Sequence, residues 1–355
     1  MARTRIYVLY DSITNSVFPS QVLAPIIAWL DQDTLHKAVL ISFEKKNRAS
    51  TLFARHNRLS VIIAKKLAFI GTISLYYATM QLQQNLRLYH EYDLIARGPL
   101  AGWICLKTLN SSCDSITIQV RGLLAEEYAY EHGNNRGLFH WLHRIRASQM
   151  RAIEHSVFSS KINNLFFESV SPALKSYLME NFGTASDKIM IASYDIPSPL
   201  QPVECLHWRQ QVRSQLGIAT DTKVYCYNGS IKPWQCPEMV IEYFKKQDTN
   251  TFLLVLTQDK TAFEHLLQQA DIKPNQYAVI SLPHTEVIKY LAAADIGLLF
   301  RKPHIINWVS RPTKLLEYQA AHLEVVHNGT IAWLTDPTMR AQNHKITGSD
   351  YQVGS

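Results

Sequence analysis

Short apolar runs alternate with longer segments of helical period along the chain. Ile6–Tyr10 and Ala38–Phe43 read as buried strands on either side of an apolar helix, Ser20–Leu30. Tyr92–Ala96 leads into a helix over Leu100–Leu109, Ser115–Val120 is rich in β-formers, and Leu165–Val170 precedes a helix over Ala173–Asn181. Lys188–Tyr194 closes this half. Ile196–Pro202 then holds three prolines in seven residues; proline fixes φ and cannot donate to a ladder, so this segment reads as a linker. The alternation restarts with strands at Lys223–Tyr227, Thr251–Leu256, Tyr277–Ser281, Ile296–Phe300 and Leu323–His327, separated by helices at Pro237–Lys245, Thr261–Gln268, Thr285–Ala293 and Pro312–Ala321. Short buried runs separated by helices predict parallel βα units. The pattern therefore predicts an α/β chain of two doubly wound domains, 1–202 and 203–355, facing each other across a cleft. Ligands of such sheets bind beyond the carboxyl ends of the strands, where the strand order reverses.

Composition narrows the class. The chain has 355 residues, 47% hydrophobic and 18% charged, with only 13 Gly and 14 Pro; collagen-like, low-complexity and disordered chains are excluded. Five cysteines, an odd number without C-x-x-C spacing, predict a reducing, cytoplasmic setting with no disulfide framework and no zinc site. The apolar stretch Leu67–Met80 spans 14 residues, short of the roughly 20 a spanning helix needs, and the residues after Met1 carry no cleavage signature. The net charge of +7 is uneven. Residues 1–200 hold 21 Lys+Arg against 15 Asp+Glu, and the remainder 15 against 14. Between Lys45 and His90 lie eight basic residues and no acidic one. That stretch reads either as a solvated basic face or as contact with an anionic membrane surface; no signature of nucleic-acid binding accompanies it. The segment 137–158 carries an apolar side with Trp141, Leu142 and Ile145 among three arginines, readable as core packing or as an interfacial helix.

No dinucleotide, P-loop or nucleophile-elbow glycine pattern is present. Asp31-Gln-Asp33, the sole D-x-D, reads as a helix terminator rather than a metal site. More informative is the run S-R-P-T-K-L-L-E-Y-Q-A beginning at Ser310. Ser310 and Pro312 signal a helix start. Such an end offers free N–H groups to a phosphate, Lys314 adds a cation, and Glu317 stands one turn on. A plain capped amphipathic helix would carry the same residue types.

This run resembles the donor-binding helix of family 4 glycosyltransferases, retaining enzymes built from two Rossmann-like domains in the GT-B architecture. Tyr227-Asn-Gly-Ser-Ile-Lys-Pro-Trp-Gln235 is similar to the glycine loop of their donor domain, and Leu282–Ile296 to the segment near the nucleotide base. Asn15–Gln21 and Ile118–Glu127 resemble acceptor-domain segments. The resemblance covers roughly residues 5–330 and implies a metal-independent hexosyltransferase without a cofactor, moving a sugar from a nucleoside-diphosphate sugar to a glycan or lipid-linked acceptor in bacterial surface polysaccharide or glycolipid synthesis, at the inner face of the cytoplasmic membrane. It further implies donor binding by Gly229, Ser230, Lys232, His284, Arg301, Ser310, Thr313, Lys314 and Glu317, with Glu317 on the ribose and the cations on the diphosphate. On the acceptor side Asn15, Arg121, Glu126 and Glu127 would be catalytic; an Arg beside a carboxylate is equally an ordinary surface ion pair.

Three departures stand out. The family's first Glu of its E-x7-E pair falls on Val309, the loop cations fall on Ser230 and about Gln235, and only 29 residues follow Val326. They leave open a GT-B binding or regulatory protein without chemistry, and a sugar-nucleotide epimerase of related fold.

Overall fold

The computed structural model describes residues 3–14, 18–45, 56–133, 140–193, 197–335 and 343–345. The chain divides into two units, Met1–Asp195 and Ile196–Ser355.

The first unit runs β1 (Thr4–Leu9), α1 (Ala24–Asp31), β2 (Lys37–Glu44), β3 (Leu59–Lys65), α2 (Thr72–Leu86), β4 (Tyr92–Arg97), α3 (Gly98–Leu106), β5 (Cys113–Val120), α4 (Leu124–His132), α5 (His140–Phe158), β6 (Leu165–Ser169), α6 (Pro172–Phe182) and β7 (Ile189–Ile191). All strands are parallel, in the order β3-β2-β1-β4-β5-β6-β7. β1 shows why the sheet sits between layers. Ile6 and Val8 are buried on one face, while Tyr7 and Leu9 pack on the other with Ile26, Trp29 and Leu30 of α1. β4, β5 and β6 differ: Leu94, Ala96, Ile116, Ile118 and Phe167 are buried, but Arg97, Gln119 and Glu168 line a half-buried polar face. Gln119 Nε2 donates to Glu168 there at 3.0 Å. A shallow cavity of about 540 Å³ lies over this face, between Tyr7 and Trp29 on one side and Thr117 and Glu168 on the other. α6 follows its sequence signals closely: Ser171 Oγ accepts from Leu174 N–H, Pro172 opens the first turn, and Gly183 closes the helix in the left-handed region.

The second unit runs α7 (Pro202–Leu216), β8 (Lys223–Asn228), α8 (Pro237–Lys245), β9 (Thr251–Leu256), α9 (Lys260–Gln269), β10 (Tyr277–Ile280), α10 (His284–Leu291), β11 (Ile296–Leu299), α11 (Ile305–Trp308), α12 (Thr313–Ala320), β12 (Glu324–His327) and β13 (Asn343–Lys345). Its parallel order is β10-β9-β8-β11-β12-β13, so the order reverses between β8 and β11. β9 is buried at all six positions, as expected of a central parallel strand covered on both faces. Buried Arg213 of α7 donates to the carbonyls of Ala293, Ala219, Thr220 and Thr222 and pairs with Asp295 at 2.9 Å. Asp295 also accepts from Val224 N–H at the start of β8, which fixes α7 to the sheet.

Several elements differ from the sequence reading. The proline-rich segment does not stay a linker throughout. Pro202 opens α7, with Gln201 and Glu204 in a capping box, because proline at the first helical position removes only an N–H with no helical partner. The basic stretch 45–90 contains β3 and α2, and Lys46, Arg48 and Arg55 lie outside the described residues. Arg58 donates to the carbonyls of Asp33 and His36, and Lys66 donates to the Tyr10 carbonyl while lying over the Tyr10 ring. Half-buried, these two cations serve the fold instead of an outer charged face. Among the described residues, no helix is long and apolar enough to cross a membrane.

Candidate functional site

At the reversal point of the second sheet, β8 ends in Asn228 and the chain turns through Gly229 at φ +154°, a region that only glycine enters freely. A β-carbon here would lie 2.5 Å from Gln235 Oε1 and 2.6 Å from Lys314 Nζ. Gly229 is thus required twice, by its backbone angle and by the side chains against it. The Gly229 N–H donates to the Leu256 carbonyl at 2.9 Å. Its role is close approach. Ser230 is tied into the same loop: its carbonyl accepts from Tyr227 Oη, and its Oγ accepts from Gln235 Nε2.

Lys314, in the first turn of α12, is 7% exposed. Its Nζ donates to Gln235 Oε1 at 2.8 Å and sits 4.3 Å above the Tyr227 ring. Burial pushes this ammonium well below the ordinary lysine range, and Arg301 beside it adds to the effect, opposed by Glu317. Arg301, just beyond β11, is equally buried, and its Nη1 has no hydrogen-bond partner. Burial lowers its pKa as well. A buried cation normally has a paired anion, since leaving it unpaired is strongly unfavourable. Here two lie together.

Glu317, also buried, is the acid of the group. Its Oε2 accepts from Asn228 Nδ2 at 2.6 Å, and its Oε1 lies 3.0 Å from His284 Nε2 at the start of α10. The hydrogen bond to Glu317 raises the His284 pKa, against the opposing effect of burial. Tyr318 completes the frame. Its hydroxyl accepts from Asn228 N–H at 2.9 Å and lies 3.3 Å from the carbonyls of Cys226 and Leu298. Its ring fills the space where Gly297 has no β-carbon.

The structure thus brings Gly229, Ser230, His284, Arg301, Lys314 and Glu317 together. Three other expected donor residues sit differently. Lys232 is exposed and lies over the Trp234 ring at 4.7 Å; the cation against Gly229 is Lys314. Ser310 does not cap α12, because its hydroxyl turns back to the Asn307 carbonyl, and the N-cap is Pro312 with extended backbone. Thr313 is the first residue of α12 and half-buried. Val309, where the resemblance places an acid, is fully buried at the end of α11. Asn228 and Gln235, which orient Glu317 and Lys314, have no sequence signal beyond their loop.

In the first unit Arg121 is half-buried in the turn after β5, and Asn15 lies outside the described residues. Glu126, half-buried, pairs with Arg151 at 2.8 Å. Glu127 instead folds its carboxyl against Gly122. Sequence reasoning passed over Glu154 of α5. It is 3% exposed, accepts from the Ala125 N–H at the start of α4, and has no partner for Oε1. An acid between Ile153 and Val157, on the buried side of an amphipathic helix, was the signal available.

No family profile matches the sequence, and no curated protein matches it either. Solved structures do match the fold. WaaG, a glycosyltransferase involved in lipopolysaccharide biosynthesis, superposes with a TM-score of 0.64 at 14% identity, over 97% of this chain and 85% of that one. Alr3699/HepE from Anabaena in complex with UDP gives 0.65 at 11% identity, over 94% and 82%. Sucrose-phosphate synthase from Thermosynechococcus elongatus gives 0.63 at 13%, over 94% and 83%. The chain therefore has the fold of the GT-B glycosyltransferases: α/β, with two parallel, Rossmann-like sheets. At these identities the likeness concerns fold, and chemistry must be argued from the site.

Proposed function

We propose that this protein is a retaining glycosyltransferase that moves a sugar from a nucleoside diphosphate to a glycan or lipid-linked acceptor in bacterial surface polysaccharide or glycolipid synthesis. The observation that carries the reading is the pair of buried cations, Arg301 and Lys314, beside Glu317 at the reversal point of the second sheet. A diphosphate supplies the anion these cations lack, and a ribose diol suits the carboxylate one turn along α12. Cations fixed before the reaction stabilise the leaving diphosphate as its charge develops, the work a metal does in other sites. The departing phosphate oxygen takes the acceptor's proton on the face where the new bond forms, which retains the anomeric configuration without a protein nucleophile. Arg121 and Glu127, beyond the carboxyl end of β5, are the acceptor-side candidates. HepE, with a similar fold, is seen with UDP and with UDP-glucose. The protein works at the inner face of the cytoplasmic membrane, with the exposed Lys65 and Arg87 of the stretch 45–90 toward anionic lipid.

The test is thermal stabilisation by UDP, GDP and ADP. Saturable stabilisation by one of them, abolished in Glu317→Ala, is the expected result; no response to any nucleoside diphosphate overturns the reading. A second reading, a nucleotide-binding regulatory protein without transfer, is favoured by buried Val309. It predicts the same stabilisation with no donor hydrolysis across a panel of nucleotide sugars.

A further inference from the structure

Six large apolar side chains, Ile70, Ile73, Tyr76, Trp141, Leu142 and Ile145, are 36% to 68% exposed. They belong to two separate stretches of the first unit, at the start of α2 and the start of α5, and one contact joins them. Gly71, the N-cap of α2, lies so close to α5 that a β-carbon on it would come within 2.8 Å of Gln149 Nε2. Gln149, Ile145 and Leu142 are spaced four and three residues apart, so they share one helical face. Ile70 and Ile73 flank Gly71. The start of α2 thus lies beside α5 at Gln149, which puts two exposed apolar stretches on adjoining helices, where single exposed apolar residues would need no explanation.

The charges on these two stretches are of one sign; on neighbouring α4, Glu126 is paired with Arg151, and exposed Glu131 adjoins His132, whose ring stacks on His143. Arg144 and Arg146 are exposed on α5, and Lys107 is exposed at the end of neighbouring α3. No acidic residue occurs from 45 to 90 or from 140 to 153, and Glu154, the next acid on α5, is buried. A second copy on this surface would set Arg144 and Arg146 against their own counterparts, since a two-fold contact is self-complementary. An anionic lipid surface meets both halves of the pattern: acyl chains take the apolar side chains, headgroups take the guanidinium groups, and the Trp141 ring suits the boundary.

We propose that this α2–α5 surface is where the protein sits on an anionic bilayer. The inference rests on the peripheral-membrane part of the reading above and moves the contact from the charge of 45–90 to this patch. The test is flotation of the full chain with phosphatidylcholine vesicles with and without about one-third phosphatidylglycerol. Three chains are compared: the native one, Ile73→Ser/Ile145→Ser, and Lys65→Gln/Arg87→Gln. The native chain floats with the anionic vesicles, the patch variant partitions about tenfold more weakly, and the charge variant loses less. These side chains are exposed, so the far-ultraviolet circular dichroism of the variants stays native. Independently, tryptophan emission of the native chain moves to shorter wavelength on vesicle addition, and Trp141→Phe loses that shift. Loss of flotation in the charge variant alone overturns the patch and leaves the membrane reading standing. Absence of flotation by the native chain overturns both. A concentration-dependent dimer that the patch variant abolishes, without vesicle binding, assigns the surface to a second copy and overturns the proposal.

Discussion

His284 Nε2 lies 3.0 Å from Glu317 Oε1, so a side chain at the mouth of the site holds the buried acid at its base. The pair raises the His284 pKa. Its contribution to stability is complete below the unfolded value of about 6.5 and is lost as pH rises through the higher folded value. Because the histidine is half exposed, the pair is worth under about 1 kcal/mol. We expect the melting temperature of His284→Gln to lie up to about 2–4 °C below the native one near pH 5.5 and to converge with it by pH 8. A gap that widens with rising pH contradicts the assignment.

Lys314→Met separates stability from binding. The substitution keeps volume and removes a buried charge that lies beside another cation. Urea unfolding of the unliganded variant should show no loss of stability, or a gain of up to about 2 kcal/mol. The stabilisation by the nucleoside diphosphate that binds the native chain should fall by about 1.4 kcal/mol or more, the equivalent of a tenfold loss of affinity. An unchanged nucleotide response in this variant removes Lys314 from the donor site.

Gly297→Ala tests the packing beneath the site. The new β-carbon would sit 2.6 Å from Tyr318 Cγ. The ring cannot retreat without pulling its hydroxyl from Asn228, Cys226 and Leu298. Overpacking of this kind costs about 1–3 kcal/mol. The variant should show that loss by urea titration, and nucleotide stabilisation should weaken with it because Asn228 also holds Glu317.

Glu154→Gln addresses the first unit. Burial raises the Glu154 carboxyl to about 7, against the N–H groups of Ala125 and Leu124. The native fold therefore binds an extra proton between the unfolded value, near 4.3, and about 7, and stability falls as pH rises across that window. Glutamine keeps an acceptor for the Ala125 N–H and has no charge to bury. The unfolding midpoint of the variant should fall less between pH 5 and pH 8 than that of the native chain; parallel profiles would exclude a titrating Glu154.

The strands that the sequence made legible are those with uninterrupted apolar runs, such as β2 and β9, because a strand covered on both faces needs no alternation. β3 and α2 were obscured. Their charged neighbours Arg58 and Lys66 look like surface in one dimension and fold inward onto carbonyls in three. α7 was hidden by prolines that mark both a linker's end and a helix's start. At the site, resemblance supplied Gly229, Arg301, Lys314 and Glu317. It did not reveal that Lys314 lies directly against Gly229, since that contact depends on how β8 and α12 are placed in space. Glu154 has no motif at all, and only its burial marks it.

The chain's entry into the second unit is stitched to α12. Leu200 N–H donates to the Ala320 carbonyl, and His322 Nε2 lies 2.8 Å from the Leu200 carbonyl. Lys314 stands in the first turn of that same eight-residue helix. The backbone at Leu200 is therefore anchored to the carboxyl end of the helix whose opening turn carries Lys314, so the position of that turn depends on contacts made at both ends of α12.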